Sequence, residues 1–174
     1  MLRLCGVEYE SLVDAPGVTA VLFFSGCRHH CPGCHNPKTH DFSYGVEVTD
    51  EVISKINAEI DKRPFLRGLV FSGGDPMYSA REILELLPKL HIPNGNLWCY
   101  TGFKIEEITD KSMLELVAKC THLVDGPFVE ELHDATLCYR GSSNQRIWQI
   151  YSDEKEGCIL IDMTDKMSPS RGDG

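Results

Sequence analysis

A run of apolar, β-branched and aromatic residues, Val18-Thr-Ala-Val-Leu-Phe-Phe24, stops at Ser25-Gly26, and three cysteines follow at once. The run has the length and composition of a strand covered on both faces, the kind found inside parallel sheets. Cys27, Cys31 and Cys34 are spaced C-x3-C-x2-C. Their loop therefore follows the carboxyl end of a buried strand, where α/β proteins place ligands. No fourth cysteine lies nearby in the sequence. Thiolates this closely spaced hold an iron–sulfur cluster or a zinc ion. A cubic four-iron cluster usually takes four thiolates, so three would leave one iron open to a substrate.

Other readings of the same stretch stay open at this point. His29, His30 or His35 could complete a Cys3His zinc knot, although zinc sites usually combine two paired elements and no second pair is present. Cys31-Pro-Gly-Cys34-His35 also spells the c-type haem attachment pattern. That chemistry belongs to exported chains, and the start, Met1-Leu-Arg-Leu-Cys-Gly-Val-Glu8, lacks the apolar core of a secretory signal. Cys31 and Cys34 could form a redox dithiol, which would leave Cys27 without a role. The iron–sulfur reading uses all three thiols.

The pattern of strand, loop and helix recurs along the chain. Residues 1–16 read as a lead-in closed by the turn Asp14-Ala-Pro-Gly17. Val52, Ile53, Ile56 and Ile60 recur at helical spacing, with Thr49 or Asp50 as cap and Pro64 as stop. Leu69-Val-Phe71 is a second short buried strand and runs into Ser72-Gly-Gly-Asp-Pro76. A helix is predicted over 79–90, distorted at its end by Pro88. Strands are predicted at 97–101, 121–125 and 158–161, with one or two short helices over 105–120. This alternation predicts an α/β fold with a mainly parallel sheet. A closed eight-stranded barrel typically needs about 250 residues, so the sheet should form an open, partial TIM-type (βα) barrel. One domain is expected over residues 1–162, followed by a loose tail over 163–174.

Composition narrows the function. A net charge of −9 lacks the basic footprint that nucleic acid requires. No stretch of 18 apolar residues is present to span a membrane. The expectation is a cytoplasmic protein, in whose reducing surroundings the scattered Cys5, Cys99, Cys120, Cys138 and Cys158 stay thiols and serve mostly as small hydrophobes.

Gly73-Gly74-Asp75-Pro76 alone is an ordinary tight turn. In a parallel sheet, however, it would share one end with the cysteine loop. Its glycines would let backbone approach a ligand, and exposed carbonyls and the Asp75 carboxylate would accept hydrogen bonds from an amine. Taken together, Ser25-Gly26-Cys27, Cys31-Pro-Gly-Cys34-x-Asn36, Ser72-Gly-Gly-Asp-Pro76, Tyr100-Thr-Gly102, Val124-Asp-Gly126 and Arg140-Gly-Ser-Ser-Asn-Gln145 resemble the radical S-adenosylmethionine enzymes. With Gly17 they span about residues 14 to 150 and are most similar to the branch that activates anaerobic ribonucleoside-triphosphate reductase. Two departures stand out. Gly33 replaces the aromatic residue that many superfamily members carry before the third cysteine, as this branch tends to do, and Asp75 replaces a common glutamate.

The resemblance implies an oxidoreductase that generates radicals. Cys27, Cys31 and Cys34 would ligate a [4Fe–4S] cluster, and S-adenosylmethionine would chelate its fourth iron. The Gly73-Gly74-Asp75 loop would hold the methionine amine, and the backbone from Gly33 through Cys34 to His35 would lie along the adenosyl part. An external electron donor would reduce the cluster. The resulting 5′-deoxyadenosyl radical would abstract hydrogen from a glycine in the glycyl-radical loop of the reductase large subunit. No nucleic acid or membrane partner is expected. The alternatives are an activase of another glycyl-radical enzyme and a zinc-stabilised binding module.

Residues outside these motifs divide between core and site. Trp98 and Tyr100 alternate along a strand and read as core, and His29 and His30 read as solvated loop side chains. Asp125 closes a strand as a turn residue or a ligand. The stretch from Arg140 to Arg146 reads as a surface loop, to which the resemblance would give a partner or cofactor role. Residues 151–174 carry no functional reading.

Overall fold

A computed structural model describes residues 1–153 and 155–167. Eight strands form one sheet: β1 (Arg3–Ser11), β2 (Thr19–Phe24), β3 (Val46–Glu47), β4 (Gly68–Gly73), β5 (Leu97–Tyr100), β6 (His122–Asp125), β7 (Arg146–Asp153) and β8 (Gly157–Asp162). Their order across the sheet is β3-β1-β2-β4-β5-β6-β7-β8. β2, β4, β5 and β6 run parallel to their neighbours. β1 and β3 on one flank, and β7 and β8 on the other, pair antiparallel.

This corrects the sequence reading. The sheet is mixed and the fold is mostly β, with only three α-helices among the described residues, rather than a mainly parallel sheet in a TIM-type barrel. The cause lies at the flanks. β1 is half-exposed, and Val7 and Tyr9 alternate with Glu8 and Glu10, so the segment reads as a lead-in rather than a buried strand. β7 and β8 are joined by a short hairpin, which needs no crossover helix.

The helices follow from local sequence. α1 (Asp50–Asp61) starts where the Thr49 side chain accepts from the Val52 amide over 3.3 Å, and it buries Ile53, Ile56 and Ile60. α2 (Ala80–Leu86) gives way to a 3-10 turn over Leu87–Lys89, because Pro88 cannot donate to the helix. α3 (Lys111–Lys119) is capped by Asp110, which accepts from the amides of Ser112 and Met113. All three helices cover one face of the sheet. There Leu22, Phe24, Leu69, Phe71, Leu97 and Leu123 form the main core with Ile53, Ile83 and Leu116, and Phe24 meets Phe71 edge to face at 5.2 Å.

The opposite face carries a smaller cluster of Ala15, Val21, Val70, Trp98, Val124 and Ile147. Trp98 is buried there and stacks on His122, with ring centroids 4.3 Å apart. Met163 and Met167 pack on this cluster, the Met167 amide donating to the Met163 carbonyl. The remainder of the expected tail, 168–174, lies outside the described residues. No helix among the described residues is long and apolar enough to cross a membrane.

Because β2, β4, β5 and β6 are parallel, the loops that follow them gather at one end of the sheet. Backbone hydrogen bonds bind these loops together. The Gly26 amide donates to Thr39, the Gly74 amide to Phe24, and the Gly126 amide to Phe103, over 2.7, 2.8 and 2.9 Å.

Candidate functional site

Cys27, Cys31 and Cys34 all line one cavity of about 240 Å³ at this end of the sheet. Cys27 leaves β2 directly and is buried, whereas Cys31 and Cys34 are half-buried on the turn beyond it. The Cys34 amide donates to the Cys31 carbonyl over 3.1 Å, so the Pro32-Gly33 step is a tight turn. Gly33 adopts φ of +72°, and a Cβ there would lie 2.7 Å from the Glu130 carboxyl carbon. That left-handed backbone favours glycine over an aromatic residue at 33, whereas the exposed Glu130 side chain could move aside.

Burial pushes the Cys27 thiol up to about 11, and the nearby Asp75, Cys31 and Cys34 add to the rise. The His29 backbone amide opposes the rise. A thiol so disposed ionises readily only beside a cation. Among the described residues no three His, Cys, Asp or Glu side chains converge on a single metal ion. A cubane takes each thiolate at a different iron corner, so its ligands stand around it rather than meeting at a point. Three cysteines lining one shared cavity fit such a cluster.

Gly73 and Gly74 line the same cavity, and His35 and Asn36 form its side. Gly74 sits against the cysteine loop so closely that a Cβ would lie 2.5 Å from the Gly26 carbonyl oxygen and 2.7 Å from that of Thr39. Asp75 is placed differently. Its side chain is 1 % exposed and does not line the cavity. Its Oδ1 accepts from the Met77 amide over 2.9 Å. Its Oδ2 accepts from the Gly102 amide and the Thr101 hydroxyl, both over 2.9 Å, and lies 2.7 Å from His29 Nε2. The carboxylate therefore fastens three loops together beneath the cavity wall.

The far wall comes from Gly126, Phe128, Gly141 and Gln145. Gln145 holds it in shape: its Oε1 accepts from the Gly141 amide over 2.8 Å, and its Nε2 donates to the Gly126 carbonyl over 3.0 Å. The stretch from Arg140 to Gln145 is thus a folded wall of the cavity rather than a free surface loop. Phe128 approaches the His35 ring at 5.1 Å, which joins this wall to the cysteine turn.

Asp125 is fully buried and does not line the cavity. It accepts from the Ile105 amide over 2.7 Å and from Arg146 over 3.0 and 2.5 Å. Arg146 also reaches both oxygens of Glu106 over 2.7 Å, and this pair holds the Glu106 carboxyl at about 2. Tyr100 lines the cavity, and its hydroxyl lies 2.6 Å from the Asp14 carbonyl. His29 is 17 % exposed and enclosed by Tyr78 and Phe103, so it is not the solvated side chain expected, whereas His30 is exposed. Sequence reasoning passed over Thr101, Phe128 and Gln145. Tyr100-Thr-Gly102 and Gln145 lay within the quoted motifs, but only tertiary contact shows what they touch.

A second cavity of about 430 Å³ shares His35 and Asn36 with the first and is otherwise lined by residues such as Cys5, Phe23 and Tyr44. Cys5 is its only thiol, so the chemistry belongs to the smaller cavity.

Comparison with known proteins gives a consistent picture. The family described as a 4Fe-4S single cluster domain matches residues 13–148. The chain is similar to the anaerobic ribonucleoside-triphosphate reductase-activating protein of Salmonella typhimurium, with 40% identity over 139 residues, covering 77% of this chain and 90% of that protein. The protein of the same name from Vibrio cholerae serotype O1 is 41% identical over 141 residues, covering 78% and 90%. The one from Enterobacteria phage T4 is 35% identical over 140 residues, covering 78% and 86%.

Proposed function

The chain belongs to the family of anaerobic ribonucleoside-triphosphate reductase-activating proteins, with a 4Fe-4S single cluster domain, and we propose that it activates such a reductase by radical S-adenosylmethionine chemistry. The observation that carries this reading is the sharing of one cavity by Cys27, Cys31, Cys34, Gly73 and Gly74.

Cys27, Cys31 and Cys34 would hold the [4Fe–4S] cluster. With S-adenosylmethionine bound, such a cluster would supply reductive carbon–sulfur cleavage and, through it, radical chemistry directed at a glycine of the reductase large subunit. The residues of this chain do the placing. Gly73 and Gly74 bring backbone to the cavity surface, where carbonyl oxygens can accept from the amine of a methionine group. Asp75 acts from behind them, since its oxygens are taken up by Met77, Thr101, Gly102 and His29. Gly33, Cys34 and His35 form the turn along which the adenosyl part would lie. Phe128 and Gln145 line the far side of the cavity. Hydrogen abstraction by a radical needs no general base. An external electron donor would supply the electron.

The test is direct. Protein reconstituted without oxygen should bind about four irons per chain and be brown. Reduced in the presence of S-adenosylmethionine, it should release 5′-deoxyadenosine. Added to the large subunit of an anaerobic ribonucleoside-triphosphate reductase, it should give a glycyl radical by electron paramagnetic resonance. One zinc per chain and a colourless sample would overturn the reading in favour of a zinc-stabilised module. Nucleoside release without a protein radical would overturn the choice of partner, leaving another glycyl-radical enzyme.

A further inference from the structure

The larger cavity, of about 430 Å³, meets the thiol-lined one at a common rim made by His35 and Asn36. Its floor spans two strands, because Gly6 of β1 lies opposite Phe23 of β2 in the sheet and both line it. Gly6 is exposed, and a Cβ there would meet nothing within 4 Å. The bare glycine leaves room for another chain to approach the sheet closely. At the rim, the Asn36 carboxamide makes no hydrogen bond among the described residues, although the Asn36 backbone carbonyl accepts from Thr39.

The groove opens at an unfinished edge of the sheet. β3 pairs with β1 only at Arg3 and Leu4. Over residues 5–11 no strand lies on that side of β1 among the described residues. Such an edge presents backbone donors and acceptors to an incoming strand. Glu8, on this stretch, is exposed; its carboxylate accepts from the Glu10 amide over 3.1 Å and has no cation beside it among the described residues.

We propose that this edge and groove dock the glycine-bearing segment of the reductase large subunit, which adds to β1 as an extended strand, passes over Gly6 and reaches the thiol-lined cavity at the Asn36 rim. The inference rests on the activase reading above, whose chemistry brings a partner glycine to that cavity. Volume decides the route. About 240 Å³ is below the roughly 300–1,000 Å³ of ordinary ligand sites, so the thiol-lined cavity leaves no space for a polypeptide beside a cofactor. The adjoining groove supplies that space. Backbone at β1 holds the segment, the Asn36 carboxamide donates to and accepts from a peptide group, and Glu8 faces a basic side chain.

The test compares full-length wild-type protein with Gly6→Phe, Gly6→Ala and Glu8→Lys, each reconstituted without oxygen. The Gly6 backbone lies outside the left-handed region, so it accepts a side chain. Gly6→Phe should fill the groove and raise the reductase concentration that half-saturates glycyl-radical formation about tenfold, while 5′-deoxyadenosine release without the reductase stays within about twofold of wild type. Gly6→Ala should stay within about twofold on both readouts. Glu8→Lys should raise the half-saturating concentration about threefold. An unchanged value in Gly6→Phe or in Glu8→Lys would overturn the inference. Loss of nucleoside release in Gly6→Phe would make Gly6 part of the cofactor site and overturn it too.

Hydrogen exchange reads the edge in wild-type protein. Backbone amides over residues 6–10 should exchange about tenfold more slowly once the reductase large subunit is added in excess. No slowing would count against the docking edge. Slowing that follows this protein's own concentration, without the reductase, would give the edge to a second copy and defeat the proposal. A wild type without a four-iron cluster, or one that raises no glycyl radical, would sink the activase reading. A wild type with both, matched by Gly6→Phe, would sink this inference alone.

Discussion

Gly26 and Asp75 are joined by a backbone hydrogen bond, the Asp75 amide donating to the Gly26 carbonyl over 2.9 Å. One residue precedes the first cysteine and the other follows the paired glycines, so this bond fixes the spacing of the two loops that make the cavity. Gly74 lies in the seam. Its substitution by alanine would place a methyl group 2.5 Å from the Gly26 oxygen, with backbone on the other side as well. Gly74→Ala should cost about 2 kcal/mol in urea unfolding and reduce iron retention after reconstitution. Full stability in this variant would show that the loops yield easily.

Arg146 is the partner that offsets the buried charge of Asp125. Arg146→Met should cost about 3 kcal/mol, because it leaves a fully buried carboxylate without its cation. Glu106→Gln should cost much less, since that end of the fork is open to solvent. Arg146 holds the folded-state Glu106 carboxyl at about 2, below its ordinary range, so the contribution of Glu106 is complete above the ordinary glutamate range and is lost as pH falls toward 2. Chemical denaturation of both variants at neutral pH, and of Glu106→Gln at pH 3, checks the order.

His122 stacks on Trp98, and burial holds its imidazole down at about 4 against an ordinary 6.5. Between these values the unfolded chain binds a proton that the folded chain refuses, so stability rises with pH across that window. Acidification from pH 7 to pH 5 should therefore lower the urea midpoint of wild-type protein. His122→Phe keeps a flat ring on Trp98 and should flatten that dependence. Equal slopes for the two proteins would show that His122 does not control it.

The cysteines should separate cleanly. Cys27→Ser, Cys31→Ser and Cys34→Ser should each lose the visible absorption of the reconstituted protein. Cys5→Ser should keep it, because the Cys5 thiol faces Ser25 Oγ at 3.0 Å and lines the other cavity. Burial raises the Cys5 thiol above its ordinary value, which further suits it to remain protonated. Iron per chain and absorbance after anaerobic desalting give the answer.

The central strands were legible because burial on both faces leaves an unbroken apolar run, as in Val18 to Phe24 and Leu69 to Phe71. β1 was not, because its alternating pattern is interrupted by Cys5 and Gly6 and the strand is half-exposed. Missing β1 and β7 is what turned a mixed sheet into an expected parallel one. The three thiols and the paired glycines could be read from spacing, since each group lies within one loop. The use of Asp75 could not, because His29, Thr101 and Gly102 reach it from other segments and sequence spacing says nothing about such encounters.

The cavity has one wall from the turn at Gly33 and another from the segment around Glu130 and Gln145. These come from early and late parts of the chain. During synthesis the thiols emerge long before Phe128, Gly141 and Gln145, which line the far side of their cavity. On the proposed reading of the thiols as cluster ligands, a chain truncated before Gln145 should retain less iron per chain after anaerobic desalting than the full chain.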